Sequence, residues 1–168
     1  VCLGNVHERK NYSLAIKAFS TVVKKYNFLK LLIIGQIQSQ REYARLILLI
    51  NKYGLESKII FKGYQKNPLP FLRESEFLLH TSLSEGFPNA VIQSICLKKS
   101  VLITTRHGDG GDICNTYKWC NYFPTNNPSL LANEIINQLS HKNDYSRNID
   151  NLQIYEESEV IKAFQDLI

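Results

Sequence analysis

The 168-residue sequence has no methionine and a single tryptophan. No apolar run approaches the roughly 20 residues that a membrane-spanning helix needs, so no helical crossing of a bilayer is expected. The four cysteines, Cys2, Cys96, Cys114 and Cys120, form no Cys-x-x-Cys pair, and no cysteine–histidine set has zinc spacing. Free thiols in a reducing compartment are therefore expected, with a Cys114–Cys120 disulfide as the alternative, and Cys96 reads as a small core residue. The absence of Gly-x-Gly-x-x-Gly argues against a nicotinamide-type site. There is no Asp-x-Asp pair, and Asp109 and Asp112 stand too far apart to supply one. No repeat, low-complexity tract, interdomain linker or secretory signal is visible.

What is present is a mildly basic chain of net charge +5. That charge suits a plain soluble domain, an anionic ligand or an anionic membrane face. Nucleic acid is not expected, because the basic residues are dispersed, as in Lys24-Lys25 and Lys98-Lys99, and do not alternate with aromatics. The length fits one domain, residues 1–168, with an appended helix at 157–168. The chain opens inside an apolar run, Val1-Cys2-Leu3-Gly4, without methionine, and is expected to be a piece of a longer protein.

Short apolar runs alternate with longer helical patterns. Strands are expected at Val1–Gly4, Leu29–Gly35, Lys58–Gly63, Glu76–Thr81, Ser100–Thr105 and, weakly, Asn121–Pro124. Leu31-Leu32-Ile33-Ile34 is apolar on both faces, as a central parallel strand requires. Helices are expected at Tyr12–Tyr26, Gln40–Tyr53, Leu69–Glu74, Asn89–Lys99, Ser129–His141 and Glu157–Ile168. Leu14, Ile16, Ala18, Phe19, Val22 and Val23 give the first helix a broad apolar stripe, and Gly54 suits a helix stop. The alternation predicts an α/β class: a doubly wound, mostly parallel six-stranded sheet with helices on both faces. Such sheets bind ligands at the carboxyl ends of their strands, near the switch in strand order.

The most informative segment is Thr81-Ser82-Leu83-Ser84-Glu85-Gly86-Phe87-Pro88-Asn89-Ala90-Val91-Ile92-Gln93. An apolar strand, a tight polar loop with one carboxylate, and a helix amino terminus follow one another, an arrangement that holds anions on free backbone N–H groups. Pro88 suits a first helical position. A second segment, Gly4-Asn5-Val6-His7-Glu8-Arg9-Lys10-Asn11, links the first strand to the first helix.

These segments resemble the donor-binding signature of the retaining glycosyltransferases of the GT-B fold, family 4. That signature is Glu-Gly-Phe-Pro-Asn, an apolar helix, and a second Glu eight positions after the first. Glu85 matches the first acid, and Gln93 stands at the second position. On a helix the two positions lie roughly 12 Å apart, a span that suits a sugar and a ribose joined by a diphosphate. The family's early pattern of Gly-Arg, a polar loop, Lys-Gly or Lys-Asn, then a helix ending Ala-Phe is matched by Lys10-Asn11 and Ala18-Phe19. Asn5 stands where arginine is usual, and Arg9 is the nearby candidate to replace it. Gly35-Gln36-Ile37 keeps the first glycine of a Gly-x-Gly turn. Phe61-Lys62-Gly63-Tyr64 resembles the turn beside the base, or is a plain strand end. Residues 107–113, with Asp112-Ile113, resemble a glycine-rich donor loop, or form a plain flexible one.

The resemblance implies a Rossmann-like carboxyl-terminal half whose amino-terminal partner domain is missing. It implies transfer of a hexose, with retention, from a UDP- or GDP-sugar to a glycan or lipid-linked acceptor, without metal or other cofactor. Glu85 and Lys10 are then the catalytic pair: Glu85 orients the sugar, and Lys10 stabilises the departing diphosphate. Asn5, Arg9, Gly35, Gly63, Gly86, Phe87, Pro88, Asn89 and Gln93 are donor-binding. Bland readings stand beside these: Lys10 as a solvated lysine, Glu85 as a loop acid, Gln93 as a surface amide. A cytoplasmic enzyme, with peripheral contact to the inner membrane face, is the expected setting, and the isolated piece is expected to be inactive. A degenerate, non-catalytic domain that binds a partner or nucleotide is the alternative. A phospho-receiver is a third reading, but residues 5–10 supply only Glu8 of the acidic pair it needs. His80 and His107 read as a packed strand-end residue and a solvent-facing one, since no nucleophile motif accompanies them.

Overall fold

A computed structural model describes residues 1–85, 88–104 and 120–140. Six strands are present among them: β1 (Cys2–Leu3), β2 (Leu31–Ile34), β3 (Ile59–Gly63), β4 (Leu78–His80), β5 (Val101–Ile103) and β6 (Cys120–Tyr122). Five α-helices accompany them: α1 (Tyr12–Lys25), α2 (Gln40–Tyr53), α3 (Leu69–Glu74), α4 (Asn89–Cys96) and α5 (Pro128–Ser140). A single 3-10 turn, Glu8–Lys10, precedes α1.

All pairings are parallel, in two three-stranded sets, β1-β2-β3 and β4-β5-β6. The expected six strands thus form two hydrogen-bonded sets, because β1 is only two residues long. The sets meet where Val1 N donates to Phe77 O (2.9 Å) and Leu79 N donates to Val1 O (2.8 Å). Read across that seam, the strand order is 3-2-1-4-5-6, and the direction of winding reverses between β1 and β4.

Period-two alternation splits β1, β4 and β5 between two cores, while β2 and β3 feed one of them. Leu79 and Leu102 join Ile33 and the inner faces of α1, α2 and α5 in one cluster. Leu78, Val101 and Ile103 join α3 and α4 in the other. Helices therefore cover both faces, as the apolar runs require. Each side chain fully buried in this way stabilises the fold by roughly 1.5–3 kcal/mol relative to exposure.

Local chemistry sets the helix ends. Ser39 Oγ accepts from Glu42 N at the start of α2, and Gly54, at φ 63°, ends it. Asn67 Oδ1 accepts from Leu69 N ahead of α3. Asn127 Oδ1 accepts from Ser129 N at the start of α5. α4 stops at Cys96, short of the expected Lys99, because Lys98 takes a left-handed φ of 52° while its N–H donates to Ile95 O. Cys2 and Cys96 are free thiols. The Cys114–Cys120 alternative and the 157–168 helix depend on positions outside the described residues.

Candidate functional site

Parallel strands bring the described loops after β1, β2, β3 and β4 to one edge. Gly4 and Asn5 leave β1, Gly35 leaves β2, Tyr64 and Gln65 follow β3, and His80 ends β4 beneath the loop that carries Glu85. These residues, with Pro88, Asn89, Ala90 and Gln93 of the α4 entry, line a cleft of about 460 Å³. It opens at the carboxyl ends of β1 and β4, the point where strand order reverses and open α/β sheets bind ligands.

The floor of the cleft needs glycine. A Cβ on Gly35, at φ 151°, would lie 2.2 Å from Gly4 O and 2.8 Å from Asn5 N. Two backbones therefore touch where β1 and β2 end. Asn5 Oδ1 accepts from Gln36 N (2.9 Å), so the asparagine also ties these two strand ends together.

The Lys10 loop is built just as tightly. The 3-10 turn places Lys10 N on His7 O (2.9 Å), and Asn11 then takes φ 49° to start α1. Glycine and asparagine tolerate that left-handed conformation best, which accounts for asparagine following Lys10. The β4 loop clamps the turn from the other side. Thr81 Oγ1 donates to Lys10 O (2.8 Å), and Leu83 N donates to Arg9 O (2.7 Å).

With both loops fixed, their charged side chains meet. Lys10 Nζ lies 2.5 Å from Glu85 Oε1, across 75 residues of sequence. Ser82 Oγ donates to the same oxygen. His80 Nε2 stands 3.7 Å from it. Lys10 and Glu85 are the charged residues among those lining the cleft. Burial pushes the Glu85 carboxyl up, but the Lys10 and Ser82 hydrogen bonds and the Lys10 and His80 charges outweigh it, so its pKa lies below the ordinary value. Burial lowers His80 to about 4, with Glu85 raising it and Lys10 lowering it further. At neutral pH the site therefore holds a carboxylate and a neutral imidazole beside Lys10 Nζ.

The structure gathers Asn5, Lys10, Gly35, Glu85, Pro88, Asn89 and Gln93 around this cleft. Pro88 sits at the cap of α4, one residue before the expected helical position, and its carbonyl accepts from Val91 N (2.8 Å) and Ile92 N (3.1 Å). Arg9 is exposed and does not line the cleft. Gly63, at φ 67°, lies just behind it, its carbonyl accepting from Gly35 N (2.9 Å). Gly86, Phe87 and residues 107–113 lie outside the described residues. Sequence reasoning passed over the role of Ser82 and the approach of His80 to Glu85, and named Tyr64 only as part of a turn. Ser82 had a signal, a hydroxyl three residues before the acid. The Ser39-x-x-Glu42 spacing had one too: Ser39 Oγ accepts from Glu42 N and donates to Glu8 Oε1 (2.8 Å) in the Lys10 turn, while Glu42 pairs with Arg45.

A family model for the glycosyl transferases group 1 matches residues 1–153. The chain is similar to an uncharacterized glycosyltransferase of Methanocaldococcus jannaschii, 36% identical over 102 residues, which make up 61% of this chain and 24% of that protein. It is also similar to the N-acetylgalactosamine-N,N'-diacetylbacillosaminyl-diphospho-undecaprenol 4-alpha-N-acetylgalactosaminyltransferase of Campylobacter jejuni. The two are 31% identical over 102 residues, 61% of this chain and 26% of that protein. The matched segment thus spans about a quarter of the length of these curated relatives. Among solved structures, HepE of Anabaena in complex with UDP and glucose superposes with a TM-score of 0.75 at 18% identity, over 99% of this chain and 46% of that one. That likeness speaks for the fold alone.

Proposed function

The chain belongs to the group 1 glycosyl transferases, and from that premise we propose that it is the carboxyl-terminal, donor-binding half of a retaining family 4 enzyme. One observation carries the reading: Lys10 and Glu85, from two loops far apart in sequence, meet in a cleft at the β1/β4 switch point. A cation and a carboxylate there suit a ligand with a diphosphate and a hydroxyl-rich sugar. Lys10 and the N–H groups entering α4 face the departing diphosphate, whose charge grows as the glycosidic bond breaks. Glu85 accepts hydrogen bonds from sugar hydroxyls, and Gln93 from the ribose. No metal enters this step in the proposed scheme.

The donor is a UDP- or GDP-hexose, and the UDP in the Anabaena structure supports the first. The acceptor is a glycan or a lipid-linked glycan in polysaccharide assembly; the diphospho-undecaprenol in the Campylobacter relative's name supports the lipid-linked form. Work on such an acceptor places the enzyme at the cytoplasmic membrane face, where its positive charge is an advantage. The intact Lys10–Glu85 pairing does not favour the non-catalytic alternative.

Thermal unfolding with UDP, GDP or ADP tests the reading. A nucleotide at a hundredfold excess over its Kd stabilises a folded site by about 2.7 kcal/mol, roughly 5–10 °C in Tm for a domain of this size. UDP or GDP is expected to give this shift, and Lys10→Ala to remove most of it. A folded Lys10→Ala protein with unchanged nucleotide binding overturns the assignment.

A further inference from the structure

His80 is a buried titratable group of the cleft wall to which the donor scheme gives no task. It is 5% exposed, and its Nε2 has no hydrogen-bond partner among the described residues. That nitrogen points at Glu85 Oε1 from 3.7 Å, beyond hydrogen-bond reach. The same oxygen is held by Lys10 Nζ and Ser82 Oγ. The cleft's cation and carboxylate therefore neutralise each other, although the donor scheme, on which this inference rests, needs both for the ligand. A diphosphate competes directly for Lys10. Once Nζ turns away, Oε1 loses a charged partner in a poorly solvated place, and His80 Nε2 is the adjacent unused group.

We propose that the Lys10–Glu85 pair is a latch opened by the donor diphosphate, and that His80 is the positioning residue that then takes Glu85 Oε1 and holds the carboxylate toward the sugar. The scaffold permits this exchange. His80 O accepts from Thr104 N (3.0 Å), and His80 pairs in register with Ile103, so its backbone is fixed in the sheet. The backbone carbonyls of Arg9 and Lys10 stay bound to Leu83 N and Thr81 Oγ1 while the side chains move. A shift of about 1 Å by the Glu85 carboxylate closes the gap to hydrogen-bond length. The charged groups facing His80 are Lys10 from the 3-10 turn and Glu85 from the β4 loop. Tyr12 of α1 lies beside them with its hydroxyl on Gly4 O (2.7 Å), and Gln93 of α4, which lines the same cleft, is neutral. A neutral imidazole facing a carboxylate carries its proton on Nε2 and can donate it without gaining charge. Lys10 holds the His80 pKa down and Glu85 holds it up, so withdrawal of Lys10 moves the imidazole toward protonation.

NMR titration of the imidazole signals tests the exchange, with His80 identified by its loss in His80→Leu. Its pKa, about 4, is expected to rise by about one pH unit or more in Lys10→Met. It should not rise in Lys10→Met/Glu85→Gln, and UDP added to the unmodified chain should reproduce the rise. A Lys10→Met protein in which His80 does not move overturns the proposal. So does UDP that binds, seen at the Gly4 and Gly35 amides, yet leaves His80 unmoved; the donor assignment then survives. If neither UDP nor GDP perturbs any signal, the donor assignment falls and the latch falls with it. Affinity gives a second readout. His80→Leu should lower the preference for UDP-glucose over UDP by about tenfold, and His80→Gln, which keeps an N–H near Nε2, should restore it.

Discussion

Glu85 is pulled in opposite directions by its surroundings. Half-burial disfavours its charge, while Lys10 and Ser82 favour it, and the hydrogen-bonded charge wins. Gln93 has no such contest, because it is neutral. If it meets the ribose as proposed, Gln93→Glu replaces a neutral hydrogen bond with a charge-assisted one and should tighten nucleotide binding by about 1 kcal/mol, roughly fivefold. Calorimetry reads this directly; flat or weaker affinity removes Gln93 from the ribose. His80 sets the pH dependence. Its folded pKa, about 4, lies below the unfolded value of about 6.5. The unfolded chain therefore binds the proton first as pH falls, and stability drops between those two values and levels off below the lower one. The loss is of the order of a few kcal/mol. Urea unfolding at pH 7, 6 and 5 should show this slope, and His80→Leu should flatten it; equal slopes in the two proteins would show that another group titrates.

At the scale of elements, the ends of helices carry the testable energetics. Ser39 caps α2 and also holds Glu8 beside the Lys10 turn. Ser39→Ala should cost about 1 kcal/mol in urea unfolding and loosen nucleotide binding slightly, whereas a cap with no link to the site would change stability alone. Lys98 occupies a left-handed position after α4 that suits glycine, so Lys98→Gly should raise stability by up to about 1 kcal/mol. Unchanged stability would mean that Lys98 gains an offsetting contact.

Helices whose ends are marked by capping or stop chemistry were legible to the residue: Gln40–Tyr53 and Leu69–Glu74 stand as read. Strands are one to three residues shorter than their apolar runs, and β6 begins at Cys120, one residue before its expected start. The 3-10 turn at Glu8–Lys10 carries no periodic signal and was not readable. Lys10 and Glu85 could each be named from their loops. Their contact could not, since it follows from β1 lying beside β4, and pairings so distant in sequence leave no local trace. His80 looked like core for the same reason: only the folded loop brings the carboxylate over it.

At the scale of the whole molecule, the proposed reading makes the described residues a donor wall. Among the described residues proposed to touch the ligand, all but Arg9 and Gly63 line one cleft. The curated relatives are about four times as long as the matched segment, and in the two-domain scheme a second half closes over the donor and brings the acceptor. Closure excludes water and orients the attacking hydroxyl, effects that one wall cannot supply. This chain alone should therefore bind UDP or GDP and transfer no sugar. In the intact enzyme Glu85→Ala should lower turnover far more than affinity for bare nucleotide, because Glu85 is assigned to the sugar. Removing Lys10, which faces the leaving diphosphate, should reduce both, with a loss in kcat of about 10²–10³-fold typical of one deleted charge-stabilising donor. Steady-state turnover and nucleotide calorimetry on the same proteins separate these outcomes. Equal losses for Glu85→Ala in both measurements would move Glu85 to the nucleotide. No loss in either would leave it a surface acid and return the cleft to nucleotide binding without catalysis.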